Sequence, residues 1–267
     1  KRLACGWNTW DTRSVLTHVF LPYGFAVDLN MMDTDGSRVR KFRIGDRAKG
    51  APLLQPGPHS FDGAYTKMTI DWRGYKLQVE SAAIGLKNVI LIRPLAETKK
   101  GGRLVVIPES LWKRGNTLSV DSLGFTLASR DKVVEIKTYI EGELLEKKGR
   151  EFILSLDTPV AICCGENMEL DEAIAFINDR ARDFINSNQK QFGENYDCYN
   201  AMQSVLAWDN IYDPGIRRVI TPVSRIWSSE WFASEDFGGF TLFCWDTYFA
   251  SMMLSVGNKE LAYANAV

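Results

Sequence analysis

Histidine and cysteine, on which most structural metal sites and disulfide frameworks depend, are few in this sequence. It has two histidines and five cysteines, and no two cysteines form a C-x-x-C pair. These counts exclude a zinc site and a disulfide framework. We therefore expect no metal and no other cofactor. The cysteines are interpreted as buried thiols, and they are Cys5, Cys163, Cys164, Cys198 and Cys244.

The sequence has neither an excess of charge of one sign nor a long apolar run. The 32 lysines and arginines nearly balance the 33 aspartates and glutamates, so nothing indicates nucleic acid or an anionic membrane as a partner. A run of about 18 apolar residues is missing, which excludes a membrane-spanning helix. Phosphate-loop and G-x-S-x-G signatures are absent too. We expect a neutral partner, and a periplasmic or secreted location if a signal peptide was removed ahead of Lys1.

Short β-strand patterns fill the first part of the chain. Each is rich in β-branched or aromatic residues, and turn residues such as Asp35-Gly36 and Arg73-Gly74 separate them. Many short strands without helical patterns between them predict an antiparallel β-sandwich over residues 1–165. The predicted strands are 15–21, 25–31, 66–72, 75–81, 88–94, 103–108, 124–127, 133–140 and 151–156.

The spacing of apolar residues changes at Leu170. Apolar residues then recur every three or four positions, as on one face of a helix, at Leu170, Ile174, Ile177, Ala181, Phe184 and Ile185. This pattern predicts a linker helix within 166–195. Further helices are predicted over 198–208 and 246–256, the second closed by Gly257, with Asn258 capping another. The loop between them, 211–243, is long enough to favour a functional role.

Aromatic residues, glycines and carboxylates concentrate in that loop and in the helix that follows it. The sequence has eight tryptophans, and flat indole faces can pack against sugar rings, although core packing is their ordinary role. Glycines let the backbone approach a ligand, and carboxylates accept hydrogen bonds from hydroxyl groups. The candidate sugar-binding residues are Trp245, Asp246, Trp227, Phe237, Glu230 and Arg225.

Three of these residues also have an alternative interpretation that involves no ligand. Asp246 is predicted directly before a helix, where an N-cap aspartate contributes about 1 kcal/mol. Glu230 could be a solvated loop acid. Arg225 could pair with a loop carboxylate instead of a ligand. The two roles of Asp246 are compatible, since a capping carboxylate can keep one oxygen for a ligand.

Here the sequence resembles a known family. Gly238-Gly239-Phe240 followed by Trp245-Asp246-Thr247-Tyr248 resembles the Gly-Gly-Arg-Phe … Tyr-Trp-Asp-x-Tyr signature of trehalases and the Trp-Asp motif of glycoside hydrolase family 63. The stretches 6–14, 208–214 and 221–227 resemble bacterial members of that family. The resemblance implies a two-domain protein, with a β-sandwich, a linker helix and, over 196–267, the first helices of an (α/α)6 barrel that is incomplete in this chain.

The resemblance also implies a function. The family includes inverting α-glycosidases. By analogy with them, Trp245 would pack against the terminal ring of a small neutral oligosaccharide, and Asp246 would accept hydrogen bonds from the hydroxyls of that ring. Such enzymes use two carboxyl groups roughly 6.5 to 9.5 Å apart. In the family these groups come from downstream barrel loops, so we expect them past Val267. The chain alone is accordingly expected to be inactive.

One departure from the trehalase signature narrows the expected substrate. The arginine after Gly-Gly is missing, since Phe240 follows Gly239 directly. Trehalose is therefore not the expected substrate, and an α-glucosidase-like activity fits better. Two alternatives stay open: an inverting disaccharide phosphorylase, which joins the same two kinds of domain, and a non-catalytic carbohydrate-binding unit.

Overall fold

The computed structural model of the chain describes residues 4–222 and 242–266. Its first part consists of strands, and every pairing between them is antiparallel. In chain order they are β1 (Gly6–Asn8), β2 (His18–Leu21), β3 (Phe25–Met32), β4 (Arg38–Val39), β5 (Leu53–His59), β6 (Tyr65–Trp72), β7 (Tyr75–Ile84), β8 (Lys87–Pro94), β9 (Arg103–Ser110), β10 (Thr117–Val120), β11 (Gly124–Ala128), β12 (Glu135–Glu141), β13 (Leu144–Lys148), β14 (Glu151–Ser155) and β15 (Val160–Cys164).

These strands form two large sheets. The first sheet has the order β1-β2-β3-β9-β14-β13, with β4 paired to β3, and the second has the order β10-β11-β12-β15-β8-β7-β6-β5. One hydrophobic cluster takes its side chains from both sheets, including Leu29 of β3 and Ile162 of β15. The ring of Phe152 on the first sheet lies 6.2 Å from that of Phe125 on the second. The predicted antiparallel, sandwich-like arrangement is confirmed.

Helix α1 (Leu170–Phe192) covers the outer face of the second sheet. Along β8 the inner-face residue Ile90 alternates with Val89 and Leu91, which contact the buried Ala173 and Ile177 of α1. Because this part of the sheet is buried on both faces, its strands carry continuous apolar runs instead of alternating ones. The predicted apolar stripe of α1 is confirmed except at its end, where Ile185 is exposed.

The helical region follows α1 after a single 3₁₀ turn. A second hydrophobic cluster, with side chains from both the first sheet and the helical region, packs this region against the outer face of that sheet. The fully buried Trp10 belongs to this cluster. The elements are α2 (Tyr196–Asp209), the hairpin β16 (Ile211–Asp213) and β17 (Arg218–Ile220), α3 (Cys244–Gly257) and α4 (Lys259–Ala266). None of the helices in the described ranges is long and apolar enough to span a membrane.

Several strands were missed by the sequence patterns, for identifiable reasons. Strand β5 contains Pro56 and Pro58, which remove backbone donors, and it is tolerated because it lies at an edge of the second sheet. Strand β13 is exposed along its whole length and lies at an edge of the first sheet, so it has no apolar alternation. The interpretation of 211–243 as loop is wrong at its start, where the β16–β17 hairpin forms.

The interpretation of all five cysteines as buried thiols is wrong for three of them. Cys163 and Cys164 are buried in β15, whereas Cys5, Cys198 and Cys244 are exposed. The two buried residues face opposite sides of a strand that is covered on both faces, as successive strand residues do. The other three lie near the start of the chain and on helix surfaces. The tendency of cysteine to be buried does not determine burial at such positions.

Two ionisable side chains, the buried His18 on β2 and the partly buried Asp28 on β3, affect acid stability in opposite directions. Burial lowers the pKa of the His18 imidazole from 6.5 to about 4, against a smaller contribution from the Leu16 carbonyl. Burial raises the pKa of the Asp28 carboxyl from 3.8 to about 6, although Thr17 and Asn30 donate hydrogen bonds to it.

The sign of each effect follows from which state binds the proton first. As pH falls below 6.5, the unfolded chain protonates His18 while the folded chain does not until about pH 4, so His18 destabilises the fold on acidification. Asp28 does the reverse, because the folded carboxyl takes up its proton near pH 6 and the unfolded one only near 3.8. The two slopes therefore nearly cancel between these limits.

Replacement of Asp28 by asparagine is expected to expose the acid sensitivity that His18 causes. Relative to wild type, the Asp28→Asn variant should lose about 2 kcal/mol of unfolding free energy between about pH 6 and 4.5. Denaturant unfolding followed by circular dichroism at stepped pH measures this difference. The double variant His18→Gln/Asp28→Asn is the control and should match the wild-type slope. Identical slopes for wild type and Asp28→Asn would contradict the account.

Candidate functional site

The Trp-Asp pair lies in the first turn of α3. The helix begins at Cys244, after Phe243 in an extended conformation, and the Thr247 amide donates to the Phe243 carbonyl at 2.9 Å. Asp246 is therefore inside the helix and not its N-cap, so the capping alternative is wrong. Its carboxylate is exposed in the turn where the helix dipole favours a negative charge. This position leaves the carboxylate available to a ligand.

The aromatic face of α3, formed by Trp245, Tyr248 and Phe249, is open to solvent. These side chains are 72%, 53% and 61% exposed, and they lie three and four residues apart, on one side of the helix. Most tryptophans are far more buried than this, since an exposed indole forgoes a large burial energy. The Trp-Asp pair predicted to hold a sugar ring thus lies on the surface, next to the exposed rings of Tyr248 and Phe249.

A groove between α3 and α4 adjoins this face. It has a volume of about 380 Å³, within the range of small-molecule sites, roughly 300 to 1,000 Å³. Tyr248 belongs to both the aromatic face and the groove, and Tyr263 of α4, 72% exposed, lines the opposite side. The hydroxyl of Ser255 and the ammonium of Lys259 add polar positions. A ring bound on the aromatic face would therefore lie next to hydrogen-bonding groups.

Buried polar side chains fix the start of α3 to α4 and to the end of β17. Asn265 Oδ1 accepts a hydrogen bond from the Thr221 amide at 2.7 Å, and Asn265 Nδ2 donates to the Thr247 carbonyl and the Ser251 hydroxyl at 3.1 Å. The Ser251 hydroxyl donates to the Thr247 carbonyl at 2.8 Å. Thr221 Oγ1 donates to Asn210 Oδ1 at 2.5 Å. One side chain of α4 thus positions the helical turn that carries the Trp-Asp pair.

The packing of α3 against its neighbours is also closely defined. Asn258 caps α4, as predicted, because its Oδ1 accepts from the Leu261 amide at 3.0 Å. The apolar contact between α3 and α4 includes Leu254 and Leu261, both fully buried. Gly257 ends α3, and a Cβ there would lie 2.0 Å from Tyr199 Oη on α2. A side chain at this position would have to displace the Tyr199 ring, so the glycine lets α3 end close against α2.

The predicted site residues fall into two groups. The structure brings together Trp245 and Asp246 on an exposed helix turn. The other four predicted residues lie outside the described ranges, and they are Trp227, Phe237, Glu230 and Arg225. The sequence prediction missed Phe249, Tyr263 and the positioning residue Asn265. The helical spacing of aromatics after Trp245 was the available signal for the first of these.

Chemically, the arrangement suits binding of a neutral polyol. An exposed ring offers an apolar plane, and the adjacent carboxylate accepts charge-assisted hydrogen bonds, which are about twice as strong as neutral ones. Within residues 4–222 and 242–266, no group of three or more histidine, cysteine, aspartate or glutamate side chains could hold a metal ion. The site as described offers binding groups, and no acid-base pair can be assigned in it.

Comparisons with known proteins add no assignment to this geometry. No protein-family model matches the chain. No curated protein matches it at a significant level.

Proposed function

We propose that this chain supplies part of the sugar-binding subsite of an inverting, α-glucosidase-like glycosidase that hydrolyses a small neutral oligosaccharide. One observation carries the proposal: Trp245, 72% exposed, stands beside the exposed Asp246 at the start of α3. In the proposed complex the indole packs against the terminal sugar ring. The Asp246 carboxylate accepts hydrogen bonds from the hydroxyls of the same ring.

The rigidity of the helix turn supports this role. A binding group is effective when its position is set before the ligand arrives, because less conformational freedom is then lost on binding. The hydrogen bonds from Asn265 to Thr247 and Ser251 hold this turn in place. The groove beside Tyr248 gives a bound sugar room to extend toward α4. Binding at this face therefore needs little rearrangement of the backbone.

We further propose that α2, α3 and α4 are the first helices of an (α/α)6 barrel. The support is the apolar surface of α3 beyond its aromatic face and the groove, where Met253 and Val256 are exposed. Contiguous apolar surface of this kind is typical of an interface. In a barrel, neighbouring helices would cover it. The catalytic acid and base belong to such further helices in this proposal, and the chain alone is expected to bind without hydrolysing.

Calorimetric titration with maltotriose tests the sugar-binding proposal. The Trp245→Ala variant should bind at least about tenfold more weakly than wild type, because the ring contact is lost. Asp246→Asn should also weaken binding, since a neutral amide forms weaker hydrogen bonds with hydroxyls than a carboxylate does. Leu123→Ala, at a 74% exposed position on the sandwich, is the control and should bind as wild type does. Equal affinities for all four proteins would reject the site.

The exposed Trp-Asp pair also suits a carbohydrate-binding unit without catalysis. That function predicts the same titration results, with no turnover in any assembly that contains the chain. A phosphorylase differs in a separate way, because its turnover of a disaccharide requires inorganic phosphate. Measurement of sugar release with and without phosphate therefore separates the three functions.

A further inference from the structure

A second cavity lies at the junction between the sandwich and the β16–β17 hairpin, away from the aromatic face of α3. It has a volume of about 920 Å³. We call it the junction cavity. Its lining includes two tyrosines, three arginines and one aspartate, namely Tyr23, Tyr212, Arg114, Arg130, Arg217 and Asp131. Junctions between packed units are common places for ligand sites.

The charges lining the junction cavity are unbalanced. Arg114, Arg130 and Arg217 form no ion pair with any residue in the described ranges. The carboxylate of Asp131 accepts instead from the Ser129 hydroxyl at 2.5 Å and the Val133 amide at 3.2 Å. Three guanidinium groups around one occupied carboxylate leave a net positive cavity. Guanidinium binds planar oxyanions with two parallel hydrogen bonds, so the lining favours an anion.

Two buried donors in this lining lack partners. Tyr212 is 2% exposed, and its hydroxyl forms no hydrogen bond with any described residue; the same holds for Arg114 Nε. Burial raises the pKa of Tyr212, against the opposing charges of Arg114 and Arg217, so the hydroxyl remains a donor at neutral pH. A buried donor without a partner is costly unless a ligand or water satisfies it. Because Tyr212 and Arg114 line the cavity, an anion bound there would lie close to both donors.

The backbone around the cavity is fixed in unusual conformations. Trp112 and Lys113, directly before Arg114, have φ values of 58° and 52°, and Arg217 has a φ of 54°. Left-handed conformations at residues other than glycine are uncommon and concentrate at functional sites. The ring of Trp112 packs 5.1 Å from that of Tyr212, which holds the tyrosine in position. Arg114 thus follows a constrained turn of the sandwich, and Arg217 lies in a constrained turn of the β16–β17 hairpin.

We propose that the junction cavity binds a small organic anion, whose phosphate or carboxylate group is held by Arg114 and Arg217 and whose carbon frame packs against Tyr23 and Tyr212. The site is separate from the proposed sugar subsite. The expected ligand carries an oxyanion group on a carbon ring or a short carbon chain. Phosphate monoesters and carboxylic acids share this chemistry, and binding assays with one of each can tell them apart.

Calorimetric titrations of the whole chain test this proposal with four probes: glucose 6-phosphate, glucuronate, inorganic phosphate and glucose. We expect the better of the first two to bind at least about tenfold more tightly than glucose, and more weakly as salt concentration rises. The stronger of the two identifies the anion. Inorganic phosphate should bind more weakly than glucose 6-phosphate, because it lacks a carbon frame. Equal binding of glucose and both anionic sugars would overturn the proposal.

Four variants locate the binding. Arg217→Ala should weaken anion binding about tenfold, and Tyr212→Phe, which removes only the hydroxyl, about three- to tenfold. Arg218→Ala is the matched control, since Arg218 is an exposed neighbour that does not line the cavity. Trp245→Ala should leave the affinity for inorganic phosphate unchanged, because this probe has no sugar ring to occupy the proposed sugar subsite. Unchanged affinity in both Arg217→Ala and Tyr212→Phe would overturn the proposal.

Discussion

Replacement of Phe152 by alanine is expected to lower the free energy of unfolding by about 3–5 kcal/mol. Phe152 is 1% exposed and packs between the two sheets against Phe125. The substitution removes a large buried ring and leaves a cavity that strands paired on both sides cannot readily fill. For a chain of this size the melting temperature should fall by roughly 6–20 °C. Thermal and denaturant unfolding, followed by circular dichroism, measure the change.

The chain offers a matched control for this substitution. Phe249→Ala makes the same chemical change at a position that is 61% exposed on α3, and its effect should stay within about 0.5 kcal/mol. A large loss in Phe152→Ala with little change in Phe249→Ala supports burial between the sheets. Equal losses at the two positions would contradict the two-sheet core.

Replacement of Asn265 by alanine is expected to cost about 2–5 kcal/mol, since each buried polar group left without a partner costs about 1–3 kcal/mol. Asn265 is 7% exposed, and the substitution removes its hydrogen bonds to Thr221, Thr247 and Ser251. Because these bonds position the first turn of α3, maltotriose affinity should fall as well. Unfolding experiments and calorimetry on the same preparation measure both effects.

An exposed asparagine provides the comparison for that variant. Asn195 precedes α2 and makes no capping hydrogen bond through its side chain. The Asn195→Ala variant should therefore unfold within about 0.5 kcal/mol of wild type and bind maltotriose unchanged. If Asn265→Ala behaved like Asn195→Ala in both measurements, the polar network would not be what holds the turn.

The sheets could be predicted from sequence largely because their central strands carry strong local signals. β-branched runs such as that of β8, bounded by turn residues, specify strands with little tertiary information. Edge strands escaped prediction because pairing with one neighbour can override unfavourable residues, as the prolines of β5 show. The order of strands within each sheet depends on contacts between distant residues, which no local pattern encodes.

The candidate site was predictable only in part, for a related reason. Trp245 and Asp246 were recognisable as adjacent residues in one motif, but the position of Asp246 was wrong, because the helix begins at Cys244 after an extended Phe243. Asn265 could not be recognised, since its role depends on the meeting of α3, α4 and β17. Likewise, the junction cavity joins Arg114 to Arg217, which are far apart in sequence. Such constellations arise only when the chain is folded.

A titration with maltotriose, followed by the indole N–H resonance of Trp245 in nuclear magnetic resonance spectra, tests the proposed sugar-binding site most directly. The resonance is identified by its loss in Trp245→Phe. We predict that it shifts progressively as maltotriose is added, whereas the resonances of the buried Trp7 and Trp10 stay in place. A stationary Trp245 resonance, at ligand concentrations that saturate binding measured by calorimetry, would contradict the assignment of this face to the sugar.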